Sequence, residues 1–131
     1  MRASKAQFKR FFKSFVEMMK REKRYTWILI VSVLFLLLTL ALPLWKIYPD
    51  AFLNPFIPLH YNVLFGIDRF GPWYNIFWIP AFGLLALVSN VLVGTLVYHQ
   101  EKFMTTLLIA GTLGVQMTLF SSMVLIVLVN L

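Results

Sequence analysis

Trp27-Ile28-Leu29-Ile30-Val31-Ser32-Val33-Leu34-Phe35-Leu36-Leu37-Leu38-Thr39-Leu40-Ala41-Leu42-Pro43-Leu44-Trp45 contains no charged residue, and it decides the class of fold. At about 1.5 Å of rise per residue, a helix of this length crosses roughly 30 Å of hydrocarbon. Lipid offers a backbone no hydrogen-bond partners, so a helix is the form such a run takes. Tryptophan stands at each end, where an amphipathic indole prefers the membrane interface. Two further windows follow, from about Trp73 to Tyr98 and from about Phe103 to Val129, and each is mostly apolar. The expected fold is therefore an all-α membrane protein with three transmembrane helices at about 27–45, 73–98 and 103–129.

The composition agrees. Of 131 residues, 60% are hydrophobic and only 13% are charged; an ordinary soluble domain is nearer half apolar and a quarter charged. Cysteine is absent, which removes disulfides and thiolate metal sites from consideration. A cleaved signal peptide is the rival reading of the first span. Its apolar run exceeds the usual h-region of about 7–15 residues, and bulky Pro43-Leu44-Trp45 stands where small residues would mark cleavage. The span is expected to remain as an anchor.

Charge sets the expected orientation. Residues 1–26 carry Arg2, Lys5, Lys9, Arg10, Lys13, Lys20, Arg21, Lys23 and Arg24, against Glu17 and Glu22. The 46–72 loop carries Lys46 and Arg69, and the connection between the second and third spans only Lys102. The positive-inside tendency puts the N-terminus on the cytoplasmic side of a plasma membrane, with the loop and the C-terminus outside. Phe8, Phe11, Phe12, Phe15, Met18 and Met19 recur at steps of one, three and four within this basic segment. That pattern predicts an amphipathic helix lying in the interface with anionic headgroups as its partner. A docking helix for another protein is the alternative; nucleic acid is not expected, because no nucleic-acid-binding fold accompanies the charge.

The second and third spans read as an antiparallel pair. Ala86, Asn90 and Gly94 recur every four residues on one, and Ala110, Gly114, Thr118 and Ser122 on the other. Small residues at that spacing allow close backbone approach, so these seven are expected to line the seam. Asn90 and Gln116 are expected to hydrogen-bond between helices, and Pro80 to kink the second span. With no charged residue inside any span, an ion or proton relay is not expected.

The 46–72 loop holds Pro49, Pro55, Pro58 and Pro72, which exclude a long helix, and six aromatic residues, too many for a solvated linker. It is expected to fold back as a cap on the outer ends of the helices. Within it stand the polar residues His60, Asn62, Asp68 and Arg69, with Gly66 and Gly71 as expected turn positions. The string Ile57-Pro58-Leu59-His60-Tyr61-Asn62, then Gly66-Ile67-Asp68-Arg69-Phe70-Gly71, directly ahead of an apolar span, resembles the signature of a bacterial membrane domain of unknown function found in SdpI-like immunity and signalling proteins. The likeness runs over about residues 53–98. It implies a non-enzymatic module and carries over onto Pro58, His60, Asn62, Gly66, Asp68 and Gly71 as a structural or recognition motif, in which Arg69 joins them.

Three functions follow as expectations. The first, which the SdpI-like resemblance implies, is a non-enzymatic membrane module whose outer loop orders a cap and recognises a membrane-protein, peptide or lipid partner, with no cofactor. The second is an accessory or assembly subunit of a larger membrane complex. The third is a metal or catalytic site at His60 and Asp68, and it lacks a second nearby histidine, a nucleophile–base pair and a phosphate loop.

Overall fold

The computed structural model describes residues 2–62, 64 and 66–131, and of residues 2–4, 61, 62 and 68 only the backbone. It is about 80% helical. In chain order it contains α1 (Arg2–Arg21), α2 (Lys23–Lys46), a 3-10 turn (Tyr48–Asp50), β1 (Phe56–Asn62), β2 (Gly66–Pro72), a second 3-10 turn (Trp73–Phe77), α3 (Trp78–Val97) and α4 (Lys102–Val129). Three segments, Lys23–Asp50, Trp73–Val97 and Lys102–Val129, are long and apolar enough to cross a membrane. This is the composition of a multi-pass membrane protein.

α4 is the centre of the bundle. It packs extensively against both α2 and α3, whereas α2 and α3 touch each other only slightly. Its inward row is Thr105, Ile109, Thr112, Gln116, Met123 and Val127, all buried. On α2 the inward residues include Ser32 and Thr39, fully buried, whose hydroxyls donate to the carbonyls of Ile28 and Phe35 one turn back. Such back-bonded hydroxyls present a small surface and let helices approach without leaving a polar group unsatisfied.

The expected small-residue seam is half present. On α3, Gly94 is buried against Thr105 and Ile109, and the Asn90 amide donates to Thr112 Oγ1 at 3.1 Å. On α4 the row lies elsewhere: Ala110, Gly114 and Thr118 are exposed, and a Cβ built on Gly114 meets nothing within 4 Å. The reason is geometric. A helix squeezed between two partners presents a row set by both of them, and α4 turns its β-branched and amide residues inward. Pro80 also differs from expectation. It is the third residue of α3, where a missing N–H leaves no intrahelical bond unmade. Pro43 is the proline in a helix interior, buried in the last turns of α2.

Each end of the bundle has its own apolar cluster. At one end Met18, Tyr25, Leu29, Tyr98 and Ile109 pack together with Phe15 and Met19, so α1 folds across the helix ends through its second half. Glu22 leaves the helical conformation between α1 and α2, and Thr26 Oγ1 caps the Met19 carbonyl at 2.9 Å, which fixes that corner. At the opposite end Ile47, Ile57, Ile76, Met123 and Val127 form the second cluster, with Leu59, Trp73 and Phe77 against it. That cluster seats the segment read from sequence as an irregular loop. It is a two-stranded antiparallel hairpin, so the chain is not wholly α.

Candidate functional site

The hairpin holds two of the four prolines that excluded a long helix. Pro58 and Pro72 donate no backbone hydrogen bond, and a two-stranded ribbon tolerates them because each strand has an outer edge that needs no donor. The pairs are Phe56 with Pro72, Ile57 with Gly71, Pro58 with Phe70, His60 with Arg69, Tyr61 with Ile67 and Asn62 with Gly66. Two register steps interrupt the ladder, one on each side of the His60–Arg69 pair. The first skips Leu59 on β1 and the second skips Asp68 on β2, so they compensate each other. Such steps bend a ribbon and re-aim its side chains.

Three contacts hold the hairpin to the helices. The Trp73 N–H donates to the Pro55 carbonyl at 3.1 Å and closes the open end of the ribbon. Asn130, just past α4, donates from its side-chain amide to the Pro58 carbonyl at 2.9 Å. Ile57 is buried among Ile47, Ile76 and Met123. Trp73 adds edge-on ring contacts with Tyr48 and Phe77, at 5.7 and 6.1 Å between centroids.

The glycines divide into two roles. Gly66 has φ of +74°, the left-handed region that L side chains rarely adopt, and it begins β2 just after the connection at residues 63–65. Gly71 has no special dihedral. The Leu59 side chain lies over it, with Cδ1 only 2.5 Å from where a Cβ would stand. It is therefore a close-approach position within a strand and not a turn.

Of the residues singled out in the sequence, the structure brings His60 and Arg69 together as a cross-strand pair with both side chains exposed. Pro58 is tied to the end of α4. Asn62 stands opposite Gly66 in the ladder; the side chains of Asn62 and Asp68, and with them their expected bonds to His60 and Arg69, lie outside the described residues. Among the described residues no three histidine, aspartate or glutamate side chains converge as metal ligands would.

Two hollows flank the hairpin where it meets the helices. One, of about 430 Å³, is lined by His60, Arg69, Asn75, Trp78, Phe82 and Ile126 among others. The second, of about 450 Å³, runs beside α4 past Ser122, Leu125 and Leu128. Leu59, His60 and Ile126 line both, so they form the ridge between the two. Around the hairpin Phe56, Leu64, Phe70 and Trp78 are more than half exposed. Asn75 and Asn130 were not foreseeable as neighbours of the motif, since nothing in their local sequence reports where the chain returns in space.

Comparison with protein-family models, with curated proteins and with solved structures gives no match.

Proposed function

We propose that this protein is a non-enzymatic membrane module whose β-hairpin, held on the extracytoplasmic side, orders a cap and recognises a membrane-protein or peptide partner. The observation that carries the reading is the His60–Arg69 pair, set between two compensating register steps and flanked by exposed Phe56 and Phe70. Exposed aromatic and arginine side chains on a fixed ribbon are the composition of an interaction centre. The resemblance of residues 53–98 to SdpI-like immunity and signalling proteins points the same way.

The orientation belongs to this reading. Nine of twelve Lys and Arg residues precede residue 25, which favours a cytoplasmic α1 and an outer hairpin in a bacterial plasma membrane. In α1, Phe8 and Phe12 are exposed beside Lys9, Arg10 and Lys13, which suits a helix lying in the interface against anionic headgroups.

A second reading, accessory subunit of a larger membrane complex, is favoured by the exposed row Ala110, Gly114 and Thr118 on α4, where another helix has room to approach. A photoreactive residue at position 70 and another at 114 separate the two in whole cells. The hairpin reading expects a discrete protein adduct from position 70, whereas an adduct from position 114 alone transfers the case to the subunit reading.

A further inference from the structure

The hollow lined by Arg69 changes character along its length. At the hairpin it is lined by Arg69, His60 and Asn75, and towards the helices by Trp78, Phe82 and Ile126. The last three belong to the first turns of α3 and the last turn of α4, so its apolar part opens onto the side of membrane-spanning helices. Trp78 and Phe82 are each exposed by more than half of their surface. A hollow on such a surface faces hydrocarbon, not water, and acyl chains are what is present to fill it.

Among the described side chains the polar end carries one sign of charge. No carboxylate lines it among the described residues, and Arg69 has no hydrogen-bond or ion-pair partner among them. Asp50, the described acid nearest in sequence, lies in a separate hollow with Lys46 and Asn54. A guanidinium presents a planar fork of donors that matches phosphate oxygens, and it keeps its charge at any physiological pH. Cation above and apolar wall below is the pattern of an amphiphile site with an anionic head.

We infer that the groove between the hairpin and the α3–α4 surface is a binding site for an anionic glycerophospholipid. The Arg69 guanidinium takes the phosphate, with the Asn75 amide beside it. One acyl chain lies along Trp78, Phe82 and Ile126, and the second passes the Leu59 ridge into the neighbouring hollow beside Leu125 and Leu128. Both volumes fall within the ordinary range of ligand sites, about 300–1,000 Å³. The inference rests on the hairpin being the recognition element and adds a lipid as the ligand of Arg69; exposed Phe56 and Phe70 are then what the hairpin offers a protein partner.

The test uses the full chain in phosphatidylcholine nanodiscs containing a trace of photoactivatable phosphatidylglycerol, with the labelled peptides identified by mass spectrometry. Label is expected on the peptides containing Trp78–Phe82 and Ser122–Val129. Unlabelled phosphatidylglycerol should compete it away and added phosphatidylcholine should not. R69Q is expected to lower it about tenfold, the effect of one lost charge-assisted hydrogen bond. I126W, which fills the groove and keeps Arg69, should lower the same label, and K13Q at the far end of the bundle should not. Equal competition by phosphatidylcholine, or label confined to α1, overturns the inference on the wild-type chain alone. Adducts of a protein partner at Phe70 are read on a different peptide, so a hairpin that binds lipid and no protein sinks only the partner reading.

Discussion

The side-chain amide of Gln116 donates to the backbone carbonyl of Gly83 across 2.7 Å, joining α4 to α3 in the middle of the bundle. A Cβ at Gly83 would stand 3.0 Å from Gln116 Oε1 and 3.2 Å from both Leu119 Cδ1 and Leu36 Cδ1. Three helices therefore meet at this one position. Gly83→Ala must push all three neighbours, and overpacking of this kind costs about 1–3 kcal/mol. Gln116→Leu removes the bond and should cost about 0.6–1.7 kcal/mol. Unfolding titrations in bicelles measure both, and a Gly83→Ala protein as stable as wild type would contradict the packing described.

Leu59 over Gly71 gives a sharper test at the hairpin. Gly71→Ala places a methyl 2.5 Å from Leu59 Cδ1, which is closer than atoms tolerate, so the end of the Leu59 side chain must turn aside. A loss of about 0.5–1.5 kcal/mol, the cost of an off-rotamer side chain, is expected. Leu59→Ala should make the Gly71→Ala change nearly neutral, which a double-mutant cycle reads directly. Additive effects would mean that the two positions do not meet.

How much of this was visible in the sequence depends on which physical signal each part uses. The three spans were legible because a charge-free run of such length has one stable form in lipid, and Trp27–Trp45 falls inside α2 while Phe103–Val129 coincides with α4 to one residue. The facing of α4 was legible in part: Gln116 was expected between helices and is buried there, whereas Gly114, expected in the seam, is exposed. Lipid and a neighbouring helix are equally apolar, so hydropathy does not tell which of the small and apolar residues meet a partner. The hairpin was missed for another reason. Ile57, Leu59 and Phe70 follow no simple alternation across the two register steps, and Pro58 argues against a strand unless its free edge is known. The polar motif itself was legible as a cluster; that His60 faces Arg69 in the ladder depends on those steps.

Asn130 makes two bonds from one amide nitrogen, to the Pro58 carbonyl at 2.9 Å and to the Ile126 carbonyl at 2.8 Å. Asn130→Ala should cost about 0.5–1.5 kcal/mol. The loss should be local, appearing as faster amide exchange in residues 56–62 with α2 and α3 unaffected. Unchanged exchange in that strand would show that the bond does not hold the hairpin.

The orientation proposed for the chain is checked with a reporter after Leu131. Alkaline phosphatase fused there is expected to be active and a fluorescent protein that folds only in the cytoplasm to be dark. The reverse result would invert the topology and move the hairpin to the cytoplasmic face.

The absence of cysteine makes α1 open to site-specific labelling. A nitroxide at Phe12→Cys should lie about 5–10 Å below the headgroups of phosphatidylglycerol vesicles, whereas one at Lys13→Cys should remain accessible to a water-soluble relaxant. Equal accessibility at the two positions would rule out a helix lying in the interface.

The central place of α4 bears on assembly as well as on the finished bundle. A ribosome delivers α2, the hairpin and α3 to the membrane first, and these pieces hold little of one another. The helix that both of them need arrives after them, and Asn130, which fastens the hairpin, follows it. Until then the earlier spans are separate guests of the insertion machinery or of the lipid. Truncation anywhere in α4 should therefore yield inserted but unassembled helices open to quality-control proteolysis, so the lifetime of the protein is decided by residues 102–130.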